Sequence, residues 1–184
     1  LDADRTVTWA IADAPGDASL APIAQVAVPI VNDVLAKFSD VADIRFSFAG
    51  YFPDVRTTPA NIVVTATEHP QWFLKPSGVF AWAFFPDEPM TDSQIAALFG
   101  TSSAYPNAAG DVFLNFSEPS VLLSTFQPGS NGYFILMHEL GHALGLKHPH
   151  DDGGTGSPTF ADLGLSIANT QLLTIMSYEE GTSI

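Results

Sequence analysis

The run His138-Glu139-Leu140-Gly141-His142-Ala143-Leu144-Gly145-Leu146-Lys147-His148 constrains this chain more than any other part of its sequence. His138 and His142 are four residues apart, so on a helix both imidazoles project from one face. Two neutral imidazoles on one face make half of a tetrahedral zinc site. Gly145 can take a positive φ, which ends the helix and turns the chain back. His148 can then approach as a third ligand. Glu139 lies one position round from His138, where it can take a proton from a water beside the metal. Three of the five histidines fall within these 11 residues. The competing reading is a core helix whose histidines are hydrogen-bonded, and the full HExxHxxGxxH spacing argues against it.

The rest of the chain must build a core that can seat such a helix. At 184 residues, with 46% apolar residues and 14 Phe, one domain with an ordinary core is expected, and a disordered chain is excluded. With no cysteine, a disulfide scaffold and a thiol nucleophile are excluded, and a metal must be held by histidine. Twenty acidic against 6 basic residues give a net charge of −14. That argues against nucleic acid as a partner and favours a soluble, cation-rich or extracellular setting. No run of about 18 uncharged apolar residues is present, so no membrane span is expected. Leu1-Asp2-Ala3-Asp4-Arg5 lacks the basic and apolar regions of a signal peptide. A removed signal, a C-terminal export signal and a fragment all remain open.

Periodicity supplies the elements. Val7, Trp9 and Ile11 alternate with Thr6, Thr8 and Ala10, predicting a half-buried strand over 6–12. Ser19 reads as an N-cap for an amphipathic helix over 20–38, with Pro22 in its first turn and Pro29 disturbing its interior. Ile44, Phe46 and Phe48 give a second strand, followed by a loop over 50–60. Asn61 to Thr67 reads as a strand buried on both faces. Further strands are expected at Gly78–Phe85 and Val112–Phe116. A short capped helix starts at Thr91-Asp92-Ser93-Gln94. Ser130 or Asn131 caps the histidine helix, which runs to about Leu144. A loop-rich tail follows, with a short helix near 168–173. The fold class is α/β (α+β) in one domain, with five strands.

Leu173-Thr174-Ile175-Met176-Ser177-Tyr178 lies beyond the histidines. Together with the histidine run it resembles the metzincin zinc endopeptidases, and within them the serralysin catalytic domain, down to Pro149 after the third histidine. The resemblance implies a metzincin-like zincin fold with a twisted, mixed five-stranded sheet, an N-terminal subdomain of about 1–145 and a loop-rich C-terminal one of about 146–184, truncated at its C-terminus. It implies one catalytic zinc on His138, His142 and His148, and Glu139 as general base toward zinc-activated water. Met176 forms an apolar floor and Tyr178 stabilises the oxyanion. The strand Ala81-Trp82-Ala83-Phe84 is the edge to which an extended substrate adds. The implied activity is a secreted bacterial endopeptidase acting on protein or peptide substrates. A proteinaceous inhibitor or the missing C-terminal segment are further partners. The alternative is a self-processing or non-catalytic metal-bearing module of a larger secreted protein or toxin.

Other residues are weaker candidates. His150 could stand in for His148, but its spacing fits the turn less well. His69 reads as surface. Trp82 and Phe84 belong to the core or line the cleft. Glu179 and Glu180 are solvated or bias a pocket toward basic side chains. Asp151-Asp152-Gly153-Gly154-Thr155-Gly156 begins like a calcium repeat, but Pro158 stands where an Asp belongs, so it reads as a surface loop. Calcium stays open.

Overall fold

The computed structural model describes residues 5–67, 79–86, 91, 105–117, 126–152 and 156–181. Strands are β1 (Thr6–Ala12), β2 (Arg45–Phe52), β3 (Ile62–Thr67), β4 (Ala81–Ala83) and β5 (Val112–Asn115); helices are α1 (Ala21–Ser39) and α2 (Asn131–Ala143). They form a mixed five-stranded sheet in the order β2-β1-β3-β5-β4. Neighbouring pairs are parallel except β4 with β5, which are antiparallel. The helix expected from Thr91, the start of the strand expected at Gly78, and His69 lie outside the described residues.

Alternation along the strands sorts side chains onto two faces. Ile62, Val64 and Ala66 of β3, with Val112 and Leu114 of β5, join α1 and α2 in the main core. Val63 and Phe113 point the other way, into a second cluster with Phe84, Tyr105 and Val55. Strand β3 is buried at every position, as its β-branched run predicts. The half-buried reading of β1 fails after Thr8: Trp9 through Ala12 are all buried, because β1 has strands on both sides and clusters on both faces.

Three further expectations change. Strand β2 continues past Phe48 to Phe52, where a loop was expected. Its register slips where Trp9 pairs with Phe48 and Ala10 with Gly50, and Gly50 takes a φ of +127°. Such a bulge keeps the pairing going through a residue that reads as a breaker. Helix α1 starts at Ala21 with Leu20 at its N-cap; Asp13 Oδ1 accepts the Leu20 amide at 2.6 Å, and Ser19 Oγ accepts the Ala21 amide at 3.3 Å. Helix α1 also runs through Pro29, which is exposed beside an exposed Gln25, so the carbonyl that loses its amide partner faces solvent. Among the described residues α1 is the helix long and apolar enough to cross a bilayer. Its Ala24, Val31, Val34 and Leu35 are buried in the main core.

Candidate metal centre

Helix α2 is bounded by two sequence-encoded signals. Ser130 sits at the N-cap and its Oγ accepts the Tyr133 amide at 3.3 Å. At the other end Gly145, at φ +94°, donates its amide to His142 O at 2.8 Å, and Leu146 donates to Gly141 O at 2.9 Å. That pair of bonds is a Schellman motif. The turn sends the chain back so that His148 meets the two helical histidines.

The three imidazoles converge through one kind of atom. His148 Nε2 lies 3.1 Å from His138 Nε2 and 3.0 Å from His142 Nε2. Their other nitrogens are committed elsewhere: His138 Nδ1 donates to Ile175 O at 2.6 Å, and His142 Nδ1 donates to Leu146 O at 2.8 Å. A carbonyl can only accept, so both rings carry their proton on Nδ1 and turn a lone pair inward. At most one proton, on His148 Nε2, can be shared among three converging nitrogens. A cation serves all three. Tetrahedral zinc with Zn–N bonds of about 2.0–2.1 Å sets its nitrogens about 3.3–3.4 Å apart, within a few tenths of the two His148 distances, and all three donor atoms lie within 4.8 Å of one another. The donor set therefore fits zinc.

Electrostatics agree. Burial, opposed by the Ile175 carbonyl, pushes His138 down to about 4. Burial and repulsion from the neighbouring histidines push His148 to about 4. His142 is lowered too, chiefly by burial. All three are neutral at neutral pH, as ligands must be.

Glu139 is 8% exposed, and its Oε2 has no hydrogen-bond partner among the described residues. Burial raises its carboxyl to about 8. It borders a cavity of about 350 Å³, shared with Phe80, Ala81, Phe134, His138 and Tyr178. Tyr178 is exposed; its ring stacks 5.4 Å from His138 and lies 4.5 Å from His148. Burial is the main cause of its raised phenol, followed by Glu139. Met176 is buried beneath α2.

Two features went unread in the sequence. Gly141 faces Met176 so closely that a Cβ there would lie 2.7 Å from Sδ. The turn carrying Met176 is pinned by buried Ser177, whose Oγ bonds Asn169 Oδ1 at 2.8 Å and receives the Glu179 amide at 3.0 Å. Neither leaves a local signal, because each depends on segments that meet only in the folded chain. His150 is outside the triad and stacks on His148. Trp82 and Phe84 turn their rings to Phe113 on the opposite face of the sheet, so they do not line the cleft. Ala81 and Ala83 pack on the α2 side. Glu179 and Glu180 are exposed.

Residues 2–163 match the family model of matrixin, peptidase M10. The chain belongs to the matrixin family. This agrees with the metzincin resemblance carried by the histidine run and the methionine turn, and zinc is the metal of that family. The matrixin chain is 35% identical over 95 residues to metalloprotease AprA of Pseudomonas entomophila, a match covering 44% of this chain and 19% of that protein. It is 48% identical over 74 residues to serralysin C of Dickeya chrysanthemi, covering 39% and 15%. It is 30% identical over 82 residues to human matrix metalloproteinase-16, covering 45% and 14%. The matched part is under a fifth of each of these relatives. Among solved structures it is similar to myroilysin, at 19% identity and a TM-score of 0.39, over 79% of this chain and 50% of that one.

Proposed function

We propose that this matrixin chain is the catalytic domain of a secreted zinc endopeptidase, in which Glu139 is the general base. The domain divides at the end of α2 into subdomains of about 1–145 and 146–184. The observation that carries the reading is a buried, unpartnered carboxylate oxygen on Glu139 beside three converging Nε2 atoms. An orphaned buried acceptor costs about 1–3 kcal/mol, which a chain tolerates where the group has other work.

His138, His142 and His148 would hold zinc, which supplies a Lewis acid that polarises a carbonyl and lowers the pKa of water to about 7. Beside a bound zinc, whose charge favours the ionised carboxylate over the protonated form that burial alone favours, Glu139 would take a proton at its free Oε2 and return it to the departing amine. Tyr178 lines the same cavity, and its phenol hydroxyl would donate to a developing oxyanion. Met176 and Gly145 support the ligands from below and behind.

Strand β4 orients the peptide. Asn115 donates to Phe80 O at 2.9 Å and Phe84 donates to Asp111 O at 3.0 Å, so Phe80, Trp82 and Phe84 face β5. The main-chain groups of Ala81 and Ala83 then point to the other side. A peptide adding antiparallel there runs from Phe85 toward Phe80. Phe85 touches His142 at 5.3 Å, whereas Phe80 lies at the cavity beside Glu139. Residues after the cut thus lie over the cavity of about 350 Å³, and its Phe80 and Phe134 walls suit a bulky apolar side chain directly after the scissile bond.

Cleavage of casein and of a peptide library tests this, with and without chelator, beside Glu139→Gln. Chelator-sensitive cleavage that Glu139→Gln lowers by at least about 100-fold, with zinc retained, is expected. A zinc-loaded chain that cleaves nothing overturns it.

A further inference from the structure

The third histidine is held unlike the other two. His138 and His142 each commit Nδ1 to a main-chain carbonyl. Every hydrogen bond that the His148 ring makes among the described residues goes through Nε2. Its orientation must come from somewhere else. A ring free to turn about Cβ–Cγ has a broad torsional well and sweeps its lone pair out of the triad. Ligand geometry tolerates only about 10–20° of such motion.

Besides the two other triad rings, at 5.2 and 4.5 Å, two more close on it. Tyr178 lies 4.5 Å away, tilted by 47°. His150 lies 5.2 Å away at an interplanar angle of 8°, laid parallel on the His148 ring. His150 and Tyr178 are themselves 5.6 Å apart, so the three rings form a closed group. The sequence builds this locally. Asp151 donates its amide to His148 O at 3.2 Å, closing a turn with Pro149 and His150 at its centre. Proline fixes φ at the second position of such a turn, and Pro149 is buried. The turn returns His150 over the ring two residues before it. Rings in offset contact attract by dispersion and block one another's rotation.

We infer that His150 is a positioning residue for the third ligand, its ring laid on His148 so that Nε2 stays aimed at His138 and His142. His150 is exposed and stands outside the triad, so it acts through His148 and not on the metal. The inference rests on the proposal that the triad holds zinc.

The test measures zinc affinity of the whole chain by chelator competition, and the visible spectrum of its cobalt-substituted form. Four proteins are compared: the parent, His150→Ala, His150→Phe and His142→Ala. Removing the ring by His150→Ala weakens zinc by about 10-fold and shifts the cobalt bands, whereas His150→Phe stays within about 2-fold of the parent. Parent-like affinity and spectrum in His150→Ala overturn the inference. So does a His150→Phe as weak as His150→Ala, since the imidazole nitrogens and not the ring face would then matter. A parent that binds no zinc, or a His142→Ala that binds as well as the parent, sinks the zinc reading itself. Metal-free melting of His150→Ala matches the parent, because the side chain is exposed; a matching loss in metal-free stability that His150→Phe fails to restore also overturns the role.

Discussion

Adding one methyl group at Gly141 tests whether the helix and the methionine turn are fitted to each other. A Cβ there would stand 2.7 Å from Met176 Sδ and 3.5 Å from its Cε. Non-bonded heavy atoms rest about 3.5–4.0 Å apart, so Met176 must retreat by about 1 Å. Met176 is 3% exposed, and the retreat has to be found inside a packed site. Overpacking of this kind costs about 1–3 kcal/mol. Replacing a helical glycine by alanine returns about 1 kcal/mol. The balance is a loss of about 1 kcal/mol, or about 2–4 °C in melting temperature for a chain of this size. The metal site feels the same movement. Ile175, directly before Met176, accepts from His138 Nδ1 at 2.6 Å. A shift of about 1 Å stretches that bond past the hydrogen-bonding range and frees the His138 ring. Gly141→Ala should therefore melt below the parent and bind zinc about 10-fold more weakly or worse. Calorimetry of the metal-free protein and chelator competition read the two effects separately. In a Met176→Ala background the methyl has room, and the same change should cost nothing. A Gly141→Ala protein that melts at or above the parent, with unchanged zinc affinity, refutes the reasoning.

Asp111 gives a pH signature. Its carboxyl is fully buried, accepts the Val63 amide at 2.9 Å and the Tyr105 hydroxyl, and is pushed by burial to about 8. The native state keeps this proton up to about pH 8, whereas the unfolded chain releases it above about 3.9, so the contribution to stability falls as pH rises through that window. Asp111→Asn removes the titration, and its stability measured by urea unfolding should fall less than the parent's between pH 5 and 8; parallel curves would count against the buried proton. Among the described residues a Cβ at Gly145 meets only Pro86, with Cγ at 3.6 Å and Cδ at 4.0 Å, so the cost of Gly145→Ala comes from its φ of +94° and not from a clash. It should lose about 1–2 kcal/mol and weaken zinc, with Gly145→Asn milder; an unchanged melt refutes the left-handed requirement.

Features that depend on neighbours in sequence could be read from the sequence. Ser130, the two histidines at helical spacing, Gly145 and the β-branched run of β3 act through residues a few positions away, and each stands where its local chemistry puts it. Features set by distant partners could not. The faces of Trp82 and Phe84 are decided by β4 pairing with β5, the extent of β2 by a bulge against β1, and the tolerance of Pro29 by which side of α1 meets the sheet. Gly141 reads as an ordinary weak point in a helix until Met176, 35 residues on, is seen against it.

The acceptors behind His138 and His142 are main-chain carbonyls of Ile175 and Leu146. Carbonyls are neutral. Carboxylates in the same places would lend negative charge through the imidazoles and blunt the ion's pull on electrons. Here three neutral rings, two of them backed by neutral carbonyls, would leave a bound divalent ion with nearly its whole charge. The acceptors also belong to the chain path and not to any side chain, so point mutations at 146 or 175 change what surrounds them without deleting them. For two of its three ligands, the electrophilic strength of this centre is written into the course of two turns, which no side-chain substitution erases.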